Sequence, residues 1–89
     1  MTYIILDGAY MESREALHDQ LQDRLPLPPW YGRNLDALYD CLTDISEPLA
    51  ILFRNYSAAL NALGPYGEKV RRVLEDAAQE NARLSFRLL

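Results

Sequence analysis

Residues 49–53 read Leu-Ala-Ile-Leu-Phe, an uninterrupted apolar run that directly follows Pro48. A short continuous run of this kind is typical of a strand that is covered on both faces, as in a parallel sheet. Residues 3–6 form a second apolar run rich in strand formers, and residues 84–88 alternate apolar with polar side chains. The sequence therefore predicts three strands, of which residues 49–53 form the one covered on both faces.

Two helices are predicted between the first and second strands. Ser13 is the expected N-cap of the first helix, which Pro26 ends, and residues 26–29, Pro-Leu-Pro-Pro, form a stiff extended connector. Asn34 is the expected N-cap of the second helix, whose apolar positions recur at steps of three and four until Pro48.

Two more helices are predicted between the second and third strands. Residues 57–63 form a short helix that Gly64-Pro65 closes, and residues 70–78 mark a longer amphipathic helix. That helix ends near Asn81, which is expected to take the left-handed position that follows a helix. Connections of this length suit right-handed parallel crossovers. We therefore predict an α/β fold, a small three-stranded parallel sheet with packed helices.

The composition predicts one globular domain with an acidic surface. The chain has 89 residues, 49% of them hydrophobic and 25% charged, which indicates a single domain over residues 1–89. With 13 acidic and 9 basic side chains, its formal net charge of -4 disfavours a nucleic-acid binder held by phosphate contacts. A basic protein partner suits this charge better.

The single cysteine, Cys41, allows neither an intramolecular disulfide nor a cysteine-based zinc site, which is typical of a protein in the reducing cytoplasm. Neither a signal segment nor an apolar stretch long enough for a membrane span is visible. No glycine-rich phosphate-binding pattern occurs. We expect a cytoplasmic monomer that has no cofactor and no membrane partner.

One segment is acidic without any compensating base. Residues 34–53 contain Asp36, Asp40, Asp44 and Glu47 but no Lys or Arg. The three aspartates recur at steps of four and share a helix face, where like charges repel by roughly 0.2–0.5 kcal/mol per pair. The ordinary explanation is the solvated face of an amphipathic helix. Because basic partners are lacking, we favour a binding surface for a cationic cleft.

Aromatic residues flank this acidic segment. Trp30 and Tyr31 precede it on the proline-stiffened connector, and Tyr39 lies beside Asp40. Such residues are commonly half-buried lids over a core. Exposed aromatics beside unpaired charges, however, are characteristic of binding hot spots. We expect all three aromatics to contact a partner.

A second acidic group lies on the last helix. Arg71 and Arg72 precede Glu75 and Asp76 by four residues and are expected to neutralise them in part. We therefore predict Asp76 as a secondary contact only. His18 is the only histidine and is expected on the surface or boundary of the first helix, where it forms neither a metal site nor a catalytic triad.

Two other functions are compatible with these residues. Asp36, Asp40 and Asp44 could form a Mg²⁺ cluster for phosphoryl chemistry, since hard cations prefer carboxylate oxygens. Their spacing matches no metal-site pattern, and no general base is visible, so we expect no enzyme. Alternatively, the acidic surface could bind a basic protein that is not a nuclease.

Residues 30–43, Trp-Tyr-Gly-Arg-Asn-Leu-Asp-Ala-Leu-Tyr-Asp-Cys-Leu-Thr, closely resemble the barstar family of intracellular ribonuclease inhibitors. The resemblance extends along the whole chain, from the first strand with Asp7-Gly8 to the last strand. It implies a barstar-like fold and an immunity protein that protects its producer from a basic, extracellular-type ribonuclease or RNase toxin.

The resemblance also implies how such an inhibitor works. Its acidic helix and preceding loop plug the nuclease active site, and the carboxylates mimic RNA phosphate. Asp40 would be the central anchor, and Tyr31 would cover the catalytic histidine of the nuclease. The implied contact residues are Asn34, Asp36, Thr43 and Asp76, with Glu80 as a weaker candidate.

Four positions depart from the best-known pattern of the family. Trp30 stands in place of Tyr and Tyr39 in place of Trp, whereas Arg33 replaces an acid and Asp44 replaces Gly. Arg33 would repel a basic partner locally, while Asp44 would add attraction. These departures leave open whether the partner is barnase, the ribonuclease that the best-known member of the family inhibits, or a different nuclease or toxin.

Overall fold

The sheet has the architecture that the sequence predicts. The computed structural model describes all 89 residues and contains three parallel strands in the order β1-β2-β3. The strands are β1 (Thr2–Asp7), β2 (Leu49–Arg54) and β3 (Leu84–Leu88). Ile51 of β2 pairs with Ile4 on one side and with Phe86 on the other. The predicted α/β fold, with the apolar run in the central strand, is therefore confirmed.

The chain also forms four helices: α1 (Arg14–Arg24), α2 (Leu35–Thr43), α3 (Tyr56–Leu63) and α4 (Pro65–Glu80). Both predicted N-caps are confirmed. Ser13 Oγ accepts a hydrogen bond from the Ala16 N–H at 3.1 Å, and Asn34 Oδ1 accepts one from the Ala37 N–H at 2.8 Å. Helix α4 begins earlier than residues 70–78 indicate, because Pro65 in the first helical turn sacrifices no hydrogen bond.

The hydrophobic core fixes which side of α2 faces outward. Ile51 and Phe53 of β2, Leu38 and Leu42 of α2, and Leu74 of α4 are almost completely buried in one cluster. Helix α2 packs directly against α4. Because Leu38 and Leu42 take the inner face of α2, the aspartates of that helix are left on its outer face.

Asp7 stabilises the turn that follows β1, which Asp7-Gly8 predicts in the sequence. Its carboxylate accepts hydrogen bonds from the Asn55 side-chain amide at 2.9 Å, the Ala9 N–H at 2.9 Å and Arg54 Nε at 3.0 Å. These donors, with Asn55 first, lower the pKa of Asp7 below its ordinary value. The same contacts hold a 3₁₀ turn over Gly8–Tyr10 and connect the ends of β1 and β2.

The prediction for Asn81 is wrong. Its backbone is extended, with φ -115° and ψ 105°, rather than left-handed. Its side-chain amide instead donates to the backbone oxygens of Leu42 at 3.0 Å and Ile45 at 2.9 Å. These carbonyls lie at the C-terminal end of α2, where helices leave backbone oxygens without partners. Asn81 therefore caps α2 from a position about forty residues away in the chain.

We expect Asn81→Ala to destabilise the fold by about 2 kcal/mol, because it leaves the Ile45 oxygen without a donor and removes a second donor from the Leu42 oxygen, which keeps the Ile45 N–H. Urea denaturation followed by circular dichroism measures this free energy of unfolding. Asn61→Ala is the matched control, since Asn61 is exposed on α3 and is expected to change stability by less than about 0.5 kcal/mol. Equal stability of the two variants would contradict the capping role of Asn81.

Candidate protein-binding site

Helix α2 presents a strip of carboxylates to solvent. Asp36 and Asp40 are exposed and lie one helical turn apart, away from the buried Leu38 and Leu42. Asp44 is also exposed and is the residue at which the helix ends. Asp36 lies at the positive end of the helix dipole, whereas Asp44 lies at the negative end, which is unfavourable for a carboxylate.

Helix α4 adds two carboxylates to this strip. Burial raises the pKa of the Tyr39 phenol, and the negative charges of Glu80, Asp76 and Asp40 raise it further. Tyr39 therefore lies among carboxylates from both helices. We define the acidic surface as Asp36, Asp40, Asp44, Asp76 and Glu80. The sequence assigns Asp76 and Glu80 only minor weight, because spacing within one helix cannot show that α2 and α4 are adjacent.

The carboxylates of the acidic surface have no basic partner within the chain. All five intramolecular ion pairs of the protein involve other acids. Arg71 pairs with Glu75, as expected, but Arg72 pairs with Glu68 instead of Asp76. Asp76 is therefore more available for a partner than the sequence indicates.

Arg33 is directed away from the acidic surface and toward α1. Its guanidinium donates to Asp19 Oδ1 at 2.7 Å, to the Glu15 backbone oxygen at 3.1 Å and to the Gln22 side chain. The residue has a φ of 55°, in the left-handed region that is unusual outside glycine. Since Asp19 neutralises its charge, the repulsion of a basic partner that we expected from Arg33 is offset within the chain.

The two aromatic residues of the connector have opposite environments. Trp30 is 82% exposed, whereas Tyr31 is only 5% exposed and belongs to the core cluster. The expectation that Tyr31 is an exposed contact residue is wrong, and the alternative of a lid over the core holds for it. The backbone N–H of Tyr31 donates to the Pro28 oxygen at 3.0 Å, which closes a turn and leaves Trp30 outside.

His18 explains why Tyr31 is buried. His18 Nδ1 lies 2.7 Å from the Tyr31 hydroxyl, and Nε2 lies 2.8 Å from the Tyr66 hydroxyl. A neutral imidazole has one donor and one acceptor nitrogen, so one tyrosine donates to the ring and the other accepts from it. His18 is only 3% exposed, and the expected position at the surface or boundary of α1 is wrong. No local pattern predicts partners that lie 13 and 48 residues away.

The remaining predicted residues of α2 have structural contacts of their own. Asn34 is exposed and caps the helix, while the half-buried Thr43 hydroxyl donates to the backbone oxygens of Tyr39 and Asp40 at 3.0 and 3.1 Å. Burial, and then the charges of Asp40 and Asp44, raise the pKa of the Cys41 thiol. This thiol therefore stays protonated and is a poor nucleophile.

The structure gives the Mg²⁺ hypothesis no support. No three side chains of His, Cys, Asp or Glu come together in a geometry that could hold a metal ion.

None of the helices is both long and apolar enough to traverse a lipid bilayer.

Comparison with known proteins gives two results. The family model described as "Barstar (barnase inhibitor)" matches residues 1–89. A Bacillus subtilis (strain 168) protein named "Putative ribonuclease inhibitor YrdF" is 44% identical over 81 residues, which are 90% of this chain and 89% of the relative.

We expect the stability of the protein to decrease when the pH falls below about 6.5, the ordinary pKa of histidine. Burial first, and then the nearby Arg33 charge, lower the pKa of His18 in the folded state. The unfolded chain therefore binds the proton more readily. The stability that the neutral imidazole contributes is complete above the unfolded pKa and is lost as the pH falls through the lower, folded one.

Urea denaturation at several pH values between about 7.5 and about 5 measures this dependence. In His18→Gln the free energy of unfolding should vary less with pH over this range, whatever its absolute value. The range stays above the titration of Asp7, whose pKa is lowered. A wild-type protein that is as insensitive to pH as His18→Gln, or that becomes more stable on acidification, would refute the assignment.

Proposed function

This chain belongs to the barstar family, and we propose from that membership that it is a ribonuclease inhibitor whose acidic surface occupies the active-site cleft of its target. The relative from Bacillus subtilis carries a ribonuclease-inhibitor name and supports the same role. Family and relative both favour an inhibitor over an enzyme. The partner that we propose is a basic ribonuclease or RNase toxin of the extracellular type.

One observation supports this proposal above all others. Asp36, Asp40 and Asp44 are exposed along α2 and at its end, and Asp76 and Glu80 of α4 lie near Tyr39 of α2. No Lys or Arg of the chain forms an ion pair with any of these five carboxylates. A ribonuclease cleft that binds RNA phosphate offers cationic hydrogen-bond donors. Carboxylates can accept charge-assisted hydrogen bonds from such donors in place of phosphate oxygens.

The rigidity of the surface strengthens the expected binding. Helix α2 is capped at its start by Asn34 and at its end by Asn81, and its inner face is anchored by the buried Leu38 and Leu42. Carboxylates on a fixed helix lose little conformational freedom when a partner binds. The repulsion among them is relieved when cations of the partner approach, which favours the complex over the free protein.

We assign Asp40 to the centre of the interface, because it lies midway along the acidic strip and beside Tyr39. Tyr31 is a positioning residue that fixes the connector through His18 while Trp30 faces the partner. The proposed contact residues are Trp30, Asn34, Asp36, Tyr39, Asp40, Thr43, Asp44 and Asp76. The free protein would act as a cytoplasmic monomer.

We expect Asp40→Asn to weaken inhibition of a barnase-like ribonuclease by at least about 2 kcal/mol, roughly 30-fold, as for other central hot-spot residues. Barnase with barstar is itself a reference system for charged hot spots, so this magnitude is taken from the family and not from the present structure. Titration of RNA cleavage with the purified inhibitor measures the dissociation constant.

Glu12→Gln is the charge-matched control, because Glu12 is exposed on another part of the chain and forms no ion pair. It should leave inhibition nearly unchanged. If Asp40→Asn inhibited as well as Glu12→Gln, the central role of Asp40 would be excluded. Affinity capture from the producing cells tests the class of partner, since a captured protein that shows no nuclease activity after separation from the inhibitor and refolding would exclude the ribonuclease proposal.

We expect salt to slow association with the ribonuclease much more than it changes dissociation. Exposed charges steer an encounter over distances that salt screens, whereas contacts already formed are screened less. Raising NaCl from about 50 mM to about 500 mM should lower the association rate constant by about tenfold or more in stopped-flow measurements. Comparable changes in both rate constants would show that the acidic surface does not steer the encounter.

A further inference from the structure

A groove lies between the proline-rich connector and the C-terminal end of α2. It has a volume of about 510 Å³ and is lined by apolar residues of the connector, by Trp30, and by Asp40, Asp44 and Glu47. We propose that this groove, the Trp30 groove, is a specificity site for an arginine side chain of the ribonuclease. The inference deepens the proposed function and rests on it.

Both walls of the groove are fixed by contacts within the protein. On the connector side, Tyr31 bonds to the Pro28 oxygen and to His18, so the exposed Trp30 is carried by an anchored backbone. On the α2 side, Asn81 binds the Ile45 oxygen at 2.9 Å, and Arg83 Nη1 donates to the Ser46 oxygen at 3.0 Å. A groove with fixed walls can receive a side chain without reorganisation.

The charge of the groove is not compensated by the chain itself. Asp40, Asp44 and Glu47 are exposed, and none of them forms an ion pair. Arg83 is the cation that bonds to this wall, and it bonds to a backbone oxygen. Asp44 also lies at the negative end of α2, so a cation placed beside it interacts with the carboxylate and with the helix dipole together.

The shape and chemistry of the groove favour arginine over other occupants. A guanidinium is planar, stacks on an indole face and binds a carboxylate with two parallel hydrogen bonds, whereas an ammonium group lacks both geometries. An apolar segment would bury the carboxylates without partners, which is unfavourable. A nucleotide or another anion would be repelled. Trp and Arg are also the residue types most enriched among interface hot spots.

The sole tryptophan of the chain is Trp30, so its fluorescence reports directly on the groove. In a first experiment the full-length protein is titrated with N-acetyl-L-arginine amide at constant ionic strength, and N-acetyl-L-norleucine amide serves as the uncharged comparison. We expect a saturable change with the arginine derivative alone. Asp44→Asn should weaken it severalfold, while Asp76→Asn, outside the groove, should not.

In a second experiment the dissociation rate of the complex with a barnase-like ribonuclease is measured for Asp44→Asn and for Trp30→Leu. Both variants should dissociate at least about tenfold faster than the wild-type complex, because Asp44→Asn breaks a charge pair that is buried in the complex and Trp30→Leu removes the indole face on which the guanidinium stacks. Glu12→Gln, which removes the same charge as Asp44→Asn elsewhere on the chain, should dissociate at the wild-type rate.

The two experiments separate failure of the groove from failure of the proposed function. Suppose that Asp40→Asn impairs inhibition but that Asp44→Asn and Trp30→Leu dissociate from the ribonuclease at the wild-type rate. The proposed arginine site is then overturned, whereas the inhibitor proposal stands. If no ribonuclease is inhibited, the ribonuclease as the source of the arginine is overturned, and the fluorescence titration decides whether the groove itself binds arginine: a response that Asp44→Asn weakens supports an arginine site, and its absence overturns the site as well.

Discussion

The packing of α2 against α4 is the constraint on which the surface of this protein depends. It places the carboxylates of Asp76 and Glu80 on α4 near Tyr39 and Asp40 of α2, where like charges are unfavourable, and none of these carboxylates forms an ion pair within the chain. The apolar contact of Leu38, Leu42 and Leu74 offsets this cost, because burying each such side chain contributes about 1.5–3 kcal/mol. The hydrophobic core therefore stabilises a charge distribution that would be unfavourable without it.

Two polar contacts between distant parts of the chain complete this arrangement. Asn81, in the loop before β3, donates hydrogen bonds to backbone oxygens at the end of α2. His18, on α1, forms a hydrogen bond with Tyr31 of the proline-rich connector. Both side chains are at least half-buried: Asn81 supplies the donor for the Ile45 oxygen, and His18 supplies partners for two tyrosine hydroxyls. They act at the two boundaries of the candidate site, so the acidic helix and Trp30 are presented as one rigid surface.

Local patterns predict the regular elements and much of the site. Continuous apolar runs predict β1 and β2, because a strand buried in a parallel sheet has no polar face, and the alternation of apolar and polar residues predicts β3. Ser13 and Asn34 predict helix starts through their capping side chains, and steps of four place Asp36 and Asp40 on one face of α2. The same local reasoning fails for His18, Tyr31 and Asn81, whose partners lie far away in the chain.

The sequence alone therefore determined the α/β class, the helix that carries the aspartates and the excess of negative charge, since each follows from the periodicity or composition of neighbouring residues. Only the tertiary structure decided that Tyr31 lies inside and Trp30 outside, that Arg33 pairs with Asp19, and that Asp76 and Glu80 join the acidic surface. These outcomes depend on which elements become neighbours, and burial and hydrogen bonding across the chain, not local preference, select those neighbours.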